Sequence, residues 1–295
     1  MDELKKNGTN PPNDTEPING ELTDELQKKL KELDKESNTV EYSGIFGKII
    51  AAICICFSLF QIYTGIFGTL DAMIQRCIHL SFGLCLGYLL CPTKKEWIKD
   101  GKFHWLDVGL AILAMVPPVY ILVNYQQLIL RAGTVTPLDT VIGTLGIVMV
   151  IEAARRIVGL PIVIVVLCFL GFGFFGPYMP GPLAHRGLSL QQMVGHLFFT
   201  TEGVFGIPLG VSSTFIFLFI LFGAFLEKTG LGKFFIDIAN AIAGWASGGP
   251  AKVAVLSSAL QGTISGSSVA NVVGSGSFTI PMMKKLGYHK NLDRK

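Results

Sequence analysis

The chain of 295 residues is 50% apolar and only 15% charged, and its mean hydropathy is positive. The apolar residues form long blocks, which argues against a soluble globular core and indicates an all-α, polytopic membrane protein embedded in a lipid bilayer. The formal net charge of +3 is too small to indicate a nucleic-acid partner.

The predicted elements begin with a polar tail, residues 1–43. No secretory signal is predicted in this tail, because the first apolar block starts only near Ile45 and more apolar blocks follow it. Six transmembrane helices are predicted after it, at residues 45–63, 73–90, 105–123, 138–157, 159–175 and 205–226. The first four make up a four-helix domain, residues 44–157, and the others belong to a second domain, residues 158–295.

Basic residues alternate between the two ends of these helices, as the positive-inside rule requires. The richer side, which we take as cytoplasmic, collects Lys94, Lys95, Lys99, Lys102, Arg155, Arg156, Lys228 and Lys233. The outer side receives Arg76, Arg131 and Arg186. The N-terminal tail is therefore predicted to be cytoplasmic.

Polar side chains in or beside the apolar blocks have two interpretations each. Glu152 is a functional candidate, because a carboxylate is costly within a bilayer. Pairing with Arg155 and Arg156, three and four residues later on the same helix, explains it more simply and is preferred. His79 and His196 lack the spacing of metal ligands, so we expect packing or surface roles for both.

Two further helices are too polar to span. Residues 187–201 are predicted to form a helix that lies in the membrane interface on the outer side. Residues 231–245 are apolar on one side and carry Lys233, Asp237 and Asn240 on the other. This pattern predicts an amphipathic helix on the cytoplasmic surface.

The most informative stretch, residues 248–288, has the small, hydroxyl-rich sequence GTISGSS at its centre, and 31 residues separate Lys252 from Lys284. As one helix they would extend about 46 Å, well beyond the roughly 30 Å hydrocarbon core. As two arms of about 15 residues, each would reach about 22 Å. These lengths predict a re-entrant helical hairpin that enters and leaves the membrane from the cytoplasmic side.

The tip of this hairpin offers little besides backbone groups and hydroxyls. Carbonyls freed at the end of the first arm, with Ser265, Ser267 and Ser268, suit a hard cation such as Na⁺. Free N–H groups at the start of the second arm, near Val269 and Ala270, suit an anion such as a carboxylate. The alternative interpretation is a glycine- and serine-rich kink that only lets helices pack closely.

Residues 201–288 closely resemble the fused membrane permease of TRAP (tripartite ATP-independent periplasmic) transporters, of the kind paired with TAXI-type binding proteins. The motifs that carry the resemblance are, in order, TEGVFGIPLGVSSTFIFLFILFGAFLEKTG, GGPAKVAV, GTISGSSVANVV and GSFTIPMMKKLGY. Residues 159–175 look like the first helix of the large membrane subunit. By number and order of helices, residues 45–157 look like the small four-helix subunit, fused in front.

The resemblance implies a secondary transporter of the bacterial or archaeal inner membrane rather than an enzyme. It would take up an organic acid, delivered by a periplasmic TAXI-type substrate-binding protein, with Na⁺ as the coupling ion and no other cofactor. Ser265, Gly266, Ser267 and Ser268 match the family's Na⁺-associated segment, and the three serines are the candidate Na⁺ ligands. Asn271, one turn into the second arm, is a weaker candidate.

The chain departs from the family in one respect. It stops at Lys295, just after the first hairpin, whereas the family's large subunit continues through a second repeat with its own hairpin. The departure predicts a truncated fragment that needs the missing C-terminal half of the permease as a partner. We expect no transport by the 295-residue chain alone.

Two other functions compete with transport. An intramembrane serine protease would use Ser265 as its nucleophile, but it needs a base within hydrogen-bonding reach. His79 and His196 are both predicted on the outer side, away from a tip that is reached from the cytoplasm. A non-transporting membrane adaptor, built from the first four helices, would show no hairpin and no cavity at Ser265.

Overall fold

The computed structural model describes residues 40, 42, 44–93, 104–131, 133–264, 271, 275, 276, 279 and 283. Over these residues the chain is helical and contains no strand, which confirms the all-α class. Five of the described helices are long and apolar enough to cross a membrane. The chain divides into two compact units, one of them Asp34–Phe225 and the other holding the described residues from Leu226 onward.

The helices are numbered in chain order. They are α1 (Ile45–Phe67), α2 (Ala72–Leu90), α3 (Trp105–Val123), α4 (Tyr125–Leu130), α5 (Pro137–Ile157), α6 (Leu160–Phe174) and α7 (Leu190–Phe199). Next come α8 (Ile207–Val211), a π-helical turn (Ser212–Ile216) and α9 (Phe217–Lys228), which run on without a break. The second unit continues with α10 (Leu231–Ala243) and α11 (Gly249–Gly262).

Five of the six predicted transmembrane helices are confirmed at spanning length: α1, α2, α3, α5 and the composite helix Ile207–Leu226. The sixth, α6, is apolar but has only 15 residues, or about 22 Å, less than the hydrocarbon core. It begins after Gly159, whose φ of 112° lies outside the helical region, and Pro161 occupies its first turn.

Local side-chain contacts set where α5 and α7 begin. Thr136 and Asp139 form a reciprocal capping box at the start of α5, and Pro137 is its first residue. Ser189 and Gln192 form the same arrangement at the start of α7. These contacts satisfy backbone N–H groups that the first turn of a helix leaves unpaired.

The main core of the first unit lies between α2, α3 and α5. Tyr88 is fully buried there, together with Leu84, Ala114 and Met149. The Tyr88 hydroxyl donates to the backbone carbonyl of Met149 at 2.8 Å. Large apolar side chains on the outer sides of the helices are exposed, as Ile55 is at 59%, which is expected where a helix faces lipid rather than water.

Helix α7, predicted at residues 187–201, packs against α5. Its buried residues include Val194 and Phe198, and α5 makes room for them with Gly143 and Gly146. A Cβ added at Gly146 would lie 2.2 Å from the Phe198 ring, so a larger residue there would separate the two helices. The interfacial location of α7 stays a prediction.

In the second unit, α10 and α11 pack against each other in antiparallel fashion. Ala239 and Ala243 of α10 are buried with Val253 of α11. At the other end of the pair, a Cβ on Gly232 would lie 3.7 Å from the Gln261 amide nitrogen. The polar side chains predicted on the opposite face of α10 are exposed: Lys233, Asp237 and Asn240. The amphipathic character of α10 is therefore confirmed, and its location on the membrane surface stays a prediction.

The polar tail lies outside the described residues apart from Val40 and Tyr42, which contact the end of α2. The Val40 N–H donates to the Leu90 carbonyl at 2.9 Å, and the Tyr42 hydroxyl donates to the Leu89 carbonyl at 3.0 Å. Burial, and then the nearby Asp107 carboxylate, raise the pKa of Tyr42.

Candidate functional site

The first arm of the predicted hairpin is α11. Gly248, at its N-cap, has a left-handed φ of 72°, and Pro250 follows in the first turn. Since glycine adopts this conformation at no steric cost, the chain can turn sharply from α10 into the arm. The helix ends at Gly262, after which the Thr263 N–H donates to the Leu260 carbonyl at 3.2 Å.

Asn271 packs back against this arm. Its side-chain Nδ2 donates to the backbone carbonyl of Ser258 at 3.1 Å, and a Cβ on Gly262 would lie 3.3 Å from the same nitrogen. The contact joins residues 13 apart in sequence, which one straight helix would separate by about 20 Å. The chain has therefore returned to the first arm by Asn271, in agreement with the predicted hairpin and not with a single continuous helix.

Described residues beyond Asn271 repeat at helical spacing. The Ser275 hydroxyl donates to the Asn271 backbone carbonyl at 2.8 Å, and the Thr279 hydroxyl donates to that of Ser275 at 2.8 Å. Residues four apart lie on one side of a helix, so these three polar residues share a face. Ser275 and Thr279 are buried.

The side-chain carbonyl oxygen of Asn271 is buried and has no hydrogen-bond partner among the described residues. Leaving a buried polar atom unpaired costs about 1–3 kcal/mol. An amide oxygen of this kind is a ligand that hard cations accept. Asn271, the weaker candidate in the sequence, thus carries a buried side-chain oxygen that the described residues leave without a partner.

The other predicted site residues, Ser265, Gly266, Ser267 and Ser268, lie outside the described residues. Their role at an ion site stays a prediction. Within the part of the chain that the structure describes, no group of three or more His, Cys, Asp or Glu side chains is placed to hold a metal ion.

A buried polar network that was not predicted from the sequence lies in the first unit, beside the π-helical turn Ser212–Ile216. His79 lies at its centre, with Nδ1 at 2.7 Å from the Gln61 amide nitrogen and Nε2 at 3.1 Å from the Ser212 hydroxyl. These contacts occupy both ring nitrogens of His79, one with a partner from α1 and the other with a partner from the π-helical turn.

Gln75 extends the same network. Its amide nitrogen donates to the Ser213 backbone carbonyl at 3.1 Å and to the Thr64 hydroxyl at 3.2 Å. These contacts join α1 and α2 to the helix that begins at Ile207. The signal that could have revealed them is the presence of polar side chains, Gln61 and Gln75 among them, within apolar helices.

A second buried network ties together the ends of α2, α3 and α5. The Arg156 guanidinium lies 2.8 Å from the Asp107 carboxylate, donates to the Thr93 hydroxyl at 2.8 Å and to Glu152 at 2.9 Å. Glu152 also pairs with Arg155 at 2.7 Å. The preferred interpretation of Glu152, pairing with the two arginines that follow it, is confirmed.

Comparison with known proteins places these observations in a family. Residues 145–292, from within α5 past the described part of the second arm, match the family model "Tripartite ATP-independent periplasmic transporter, DctM component". The chain is 39% identical over 70 residues to a putative TRAP transporter large permease protein of Haemophilus influenzae. It is 44% identical over 70 residues to the C4-dicarboxylate TRAP transporter large permease protein DctM of Pseudomonas aeruginosa.

Each of these matched segments covers 24% of this chain and 16% of the relative, so the matched part is about a sixth of their length. No solved structure matches the chain. The family model, however, covers half of the chain, including the hairpin and the helix that starts at Ile207. The chain therefore belongs to the DctM family, the large-permease component of TRAP transporters, and is a multi-pass membrane protein.

Proposed function

We propose that the chain is the membrane permease component of a TRAP-type secondary transporter that takes up an organic acid with Na⁺ as the coupling ion. The observation that carries this proposal is the return of the chain at Asn271. Its side-chain nitrogen lies beside Gly262, and its side-chain oxygen is buried without a hydrogen-bond partner among the described residues. Relatives with similar sequence are named C4-dicarboxylate permeases, which supports a substrate bearing carboxylates.

In this proposal the hairpin tip holds the ion and the acid side by side. Ser265, Ser267 and Ser268 would supply Na⁺ ligands together with the Asn271 side-chain oxygen, which would gain a partner that the described residues do not provide. N–H groups at the start of the second arm would bind a carboxylate of the substrate. The positive ion would favour a carboxylate bound beside it, and because the coupling free energy between two sites is reciprocal, the acid would favour Na⁺ binding to the same degree.

We further propose that residues 44–157 serve as the small subunit, fused in front of the large one. Support comes from the polar contacts of Gln75 and His79, which join α1 and α2 to the helix of the large-subunit segment within one compact unit. A periplasmic, TAXI-type binding protein would deliver the acid at the outer face. The tail would remain on the cytoplasmic side of the inner membrane.

Uptake into proteoliposomes tests the proposal. The chain is reconstituted with the second repeat that the resemblance places after Lys295, the binding protein is added outside, and an inward Na⁺ gradient is imposed. Uptake should depend on Na⁺. Replacing Ser267 or Ser268 with alanine should raise the Na⁺ concentration for half-maximal uptake by about tenfold. This is the effect of losing one weak ligand that contributes about 1.4 kcal/mol to Na⁺ binding.

The matched control is Ser247→Ala, because Ser247 is exposed in the turn before α11. This variant should keep the wild-type Na⁺ requirement. If uptake proceeded equally well without Na⁺, the coupling ion would be misassigned. If the Ser267 and Ser268 variants behaved like Ser247→Ala, the ion site would lie elsewhere.

A further inference from the structure

The loop between α6 and α7, residues 175–189, is fastened to the end of α6 by one histidine. The Gly187 N–H donates to His185 Nδ1 at 3.1 Å, and His185 Nε2 lies 3.0 Å from the Phe172 backbone carbonyl. The imidazole also packs on the Phe172 ring, with 4.7 Å between the two ring centroids. The side chain of His185 therefore joins the far end of the loop to the last turn of the helix.

The two backbone partners determine which ring nitrogen carries the proton. A backbone N–H only donates, and a backbone carbonyl only accepts. Nδ1 is therefore the unprotonated nitrogen, and Nε2 carries the proton that is donated to Phe172. A second proton would have to bind at Nδ1, where it would take the lone pair that accepts from Gly187. His185 keeps both contacts only as the neutral imidazole.

Two glycines make room for this arrangement. A Cβ at Gly176 would lie 2.3 Å from atoms of the His185 ring, so a side chain there would displace the imidazole. Gly187 has a left-handed φ of 73°, which glycine adopts without strain. Two backbone hydrogen bonds close the same loop, from the His185 N–H to the Gly176 carbonyl at 3.1 Å and from the Leu188 N–H to the Gly173 carbonyl at 2.9 Å. The position of the ring is thus built into the loop.

The fastened loop forms one wall of an apolar cavity of about 820 Å³ between α5, α6 and α7. The three helices contribute only apolar residues to it, so His185 is the one titratable group among the described residues of its lining. On the loop itself, Tyr178 and Arg186 are titratable or charged, and both are exposed. No acidic side chain among the described residues forms an ion pair with His185. A proton on the ring would therefore bring a positive charge to the wall without a counter-charge. The loop residues of the lining are Pro182, Leu183, Ala184 and His185.

We propose that His185 is a pH-sensitive latch, which holds the loop on α6 at neutral pH and releases it in acid. Histidine is the side chain that ordinarily changes its charge between about pH 5 and pH 8. Protonation of Nδ1 breaks the contact with Gly187, and the charged ring moves from the apolar wall into water, because an unpaired charge is costly to bury. The stability of the closed loop is therefore present at neutral pH and is lost as the pH falls. Arg186 is predicted on the outer side, so the latch responds to the outer compartment.

Hydrogen–deuterium exchange of the whole chain in detergent micelles, read by mass spectrometry, tests the latch. Peptides that cover residues 176–189 are compared at about pH 8 and about pH 5, with labelling times corrected for the pH dependence of intrinsic amide exchange. In the wild type, the protection of the Gly187 and Leu188 amides should fall about fivefold at the lower pH. This is the effect of losing one hydrogen bond of about 1 kcal/mol. Peptides from α5 should keep their protection, which separates local release from acid unfolding.

Three variants identify the group that titrates. In His185→Asn, the side-chain oxygen can accept from the N–H two residues later, as in an Asx turn, and it does not titrate. This variant should protect the loop equally at both pH values. His185→Ala should lose the protection at both pH values, because it has no acceptor for the Gly187 N–H. The matched control is His196→Asn, which removes an exposed histidine of the same predicted side and should respond to pH like the wild type.

Equal protection of the wild-type loop at both pH values would overturn the proposal. So would a pH response that persists in His185→Asn or disappears in His196→Asn, since another group would then control the loop. An equal loss of protection in α5 would contradict the latch as well, because it would show general unfolding in acid.

Discussion

Replacing Arg156 with methionine should lower the free energy of unfolding by about 3–5 kcal/mol, because it leaves the Asp107 carboxylate buried without its cation. The side chains of Arg156 and Asp107 are only 2% and 3% exposed. The guanidinium also lies 4.5 Å from the centre of the Tyr88 ring, so methionine removes a cation–π contact as well. SDS titration of the chain in mixed micelles measures the loss.

The neighbouring arginine provides the matched control. Arg155 pairs with Glu152 but is 38% exposed, so Arg155→Met should cost about 1 kcal/mol or less. A double variant, Arg156→Met with Asp107→Leu, should recover most of the lost stability, because it removes the buried carboxylate as well as its cation. An Arg156→Met protein no less stable than Arg155→Met would show that the buried pair does not hold these helices together.

Replacing Asn271 with alanine should remove most of the stabilisation that Na⁺ gives to the chain. A ligand that binds only the folded state at ten times its Kd stabilises it by about 1.4 kcal/mol. For a protein of this size, that gain corresponds to a rise in Tm of roughly 3–6 °C. Thermal unfolding in detergent, with NaCl compared against choline chloride at equal ionic strength, measures the shift.

The test of the ion site is the difference in Tm between NaCl and choline chloride. The Tm in choline chloride should itself be lower in Asn271→Ala, because the substitution also removes the hydrogen bond to Ser258. Asn240→Ala, on the exposed face of α10, should keep the full Na⁺ response. A Na⁺-dependent shift of wild-type size in Asn271→Ala would refute a ligand at this position.

Much of the fold follows from the sequence because the bilayer imposes strict lengths on apolar helices. The spans at α1, α2, α3 and α5 were predictable for this reason, within a few residues at each end. The length of helix α6 was overestimated by one residue at each end, because Gly159 precedes its first turn and the 3-10 turn at Gly176–Tyr178 follows its last. The short helix α4 was missed, because six residues carry too little periodicity to distinguish it from a loop.

The polar networks were harder to predict, because they depend on partners far apart in the chain. His79 and Ser212 are 133 residues apart, and nothing local to either residue indicates the contact. The π-helical turn at Ser212–Ile216 likewise has no sequence signal, and such turns are frequent at functional sites. Glu152 was predictable because both its partners lie one turn away on the same helix.

The central claim is that residues 248–288 enter the membrane and return to the cytoplasmic face. Single cysteines placed at Lys252 or Lys284, in a chain whose six native cysteines are replaced, test it by labelling with a membrane-impermeant maleimide in oriented vesicles. A cysteine at Arg186 marks the outer side. Both lysine positions should label from the cytoplasmic side alone, opposite to position 186, whereas labelling of Lys252 and Lys284 positions from opposite sides would contradict the re-entrant hairpin.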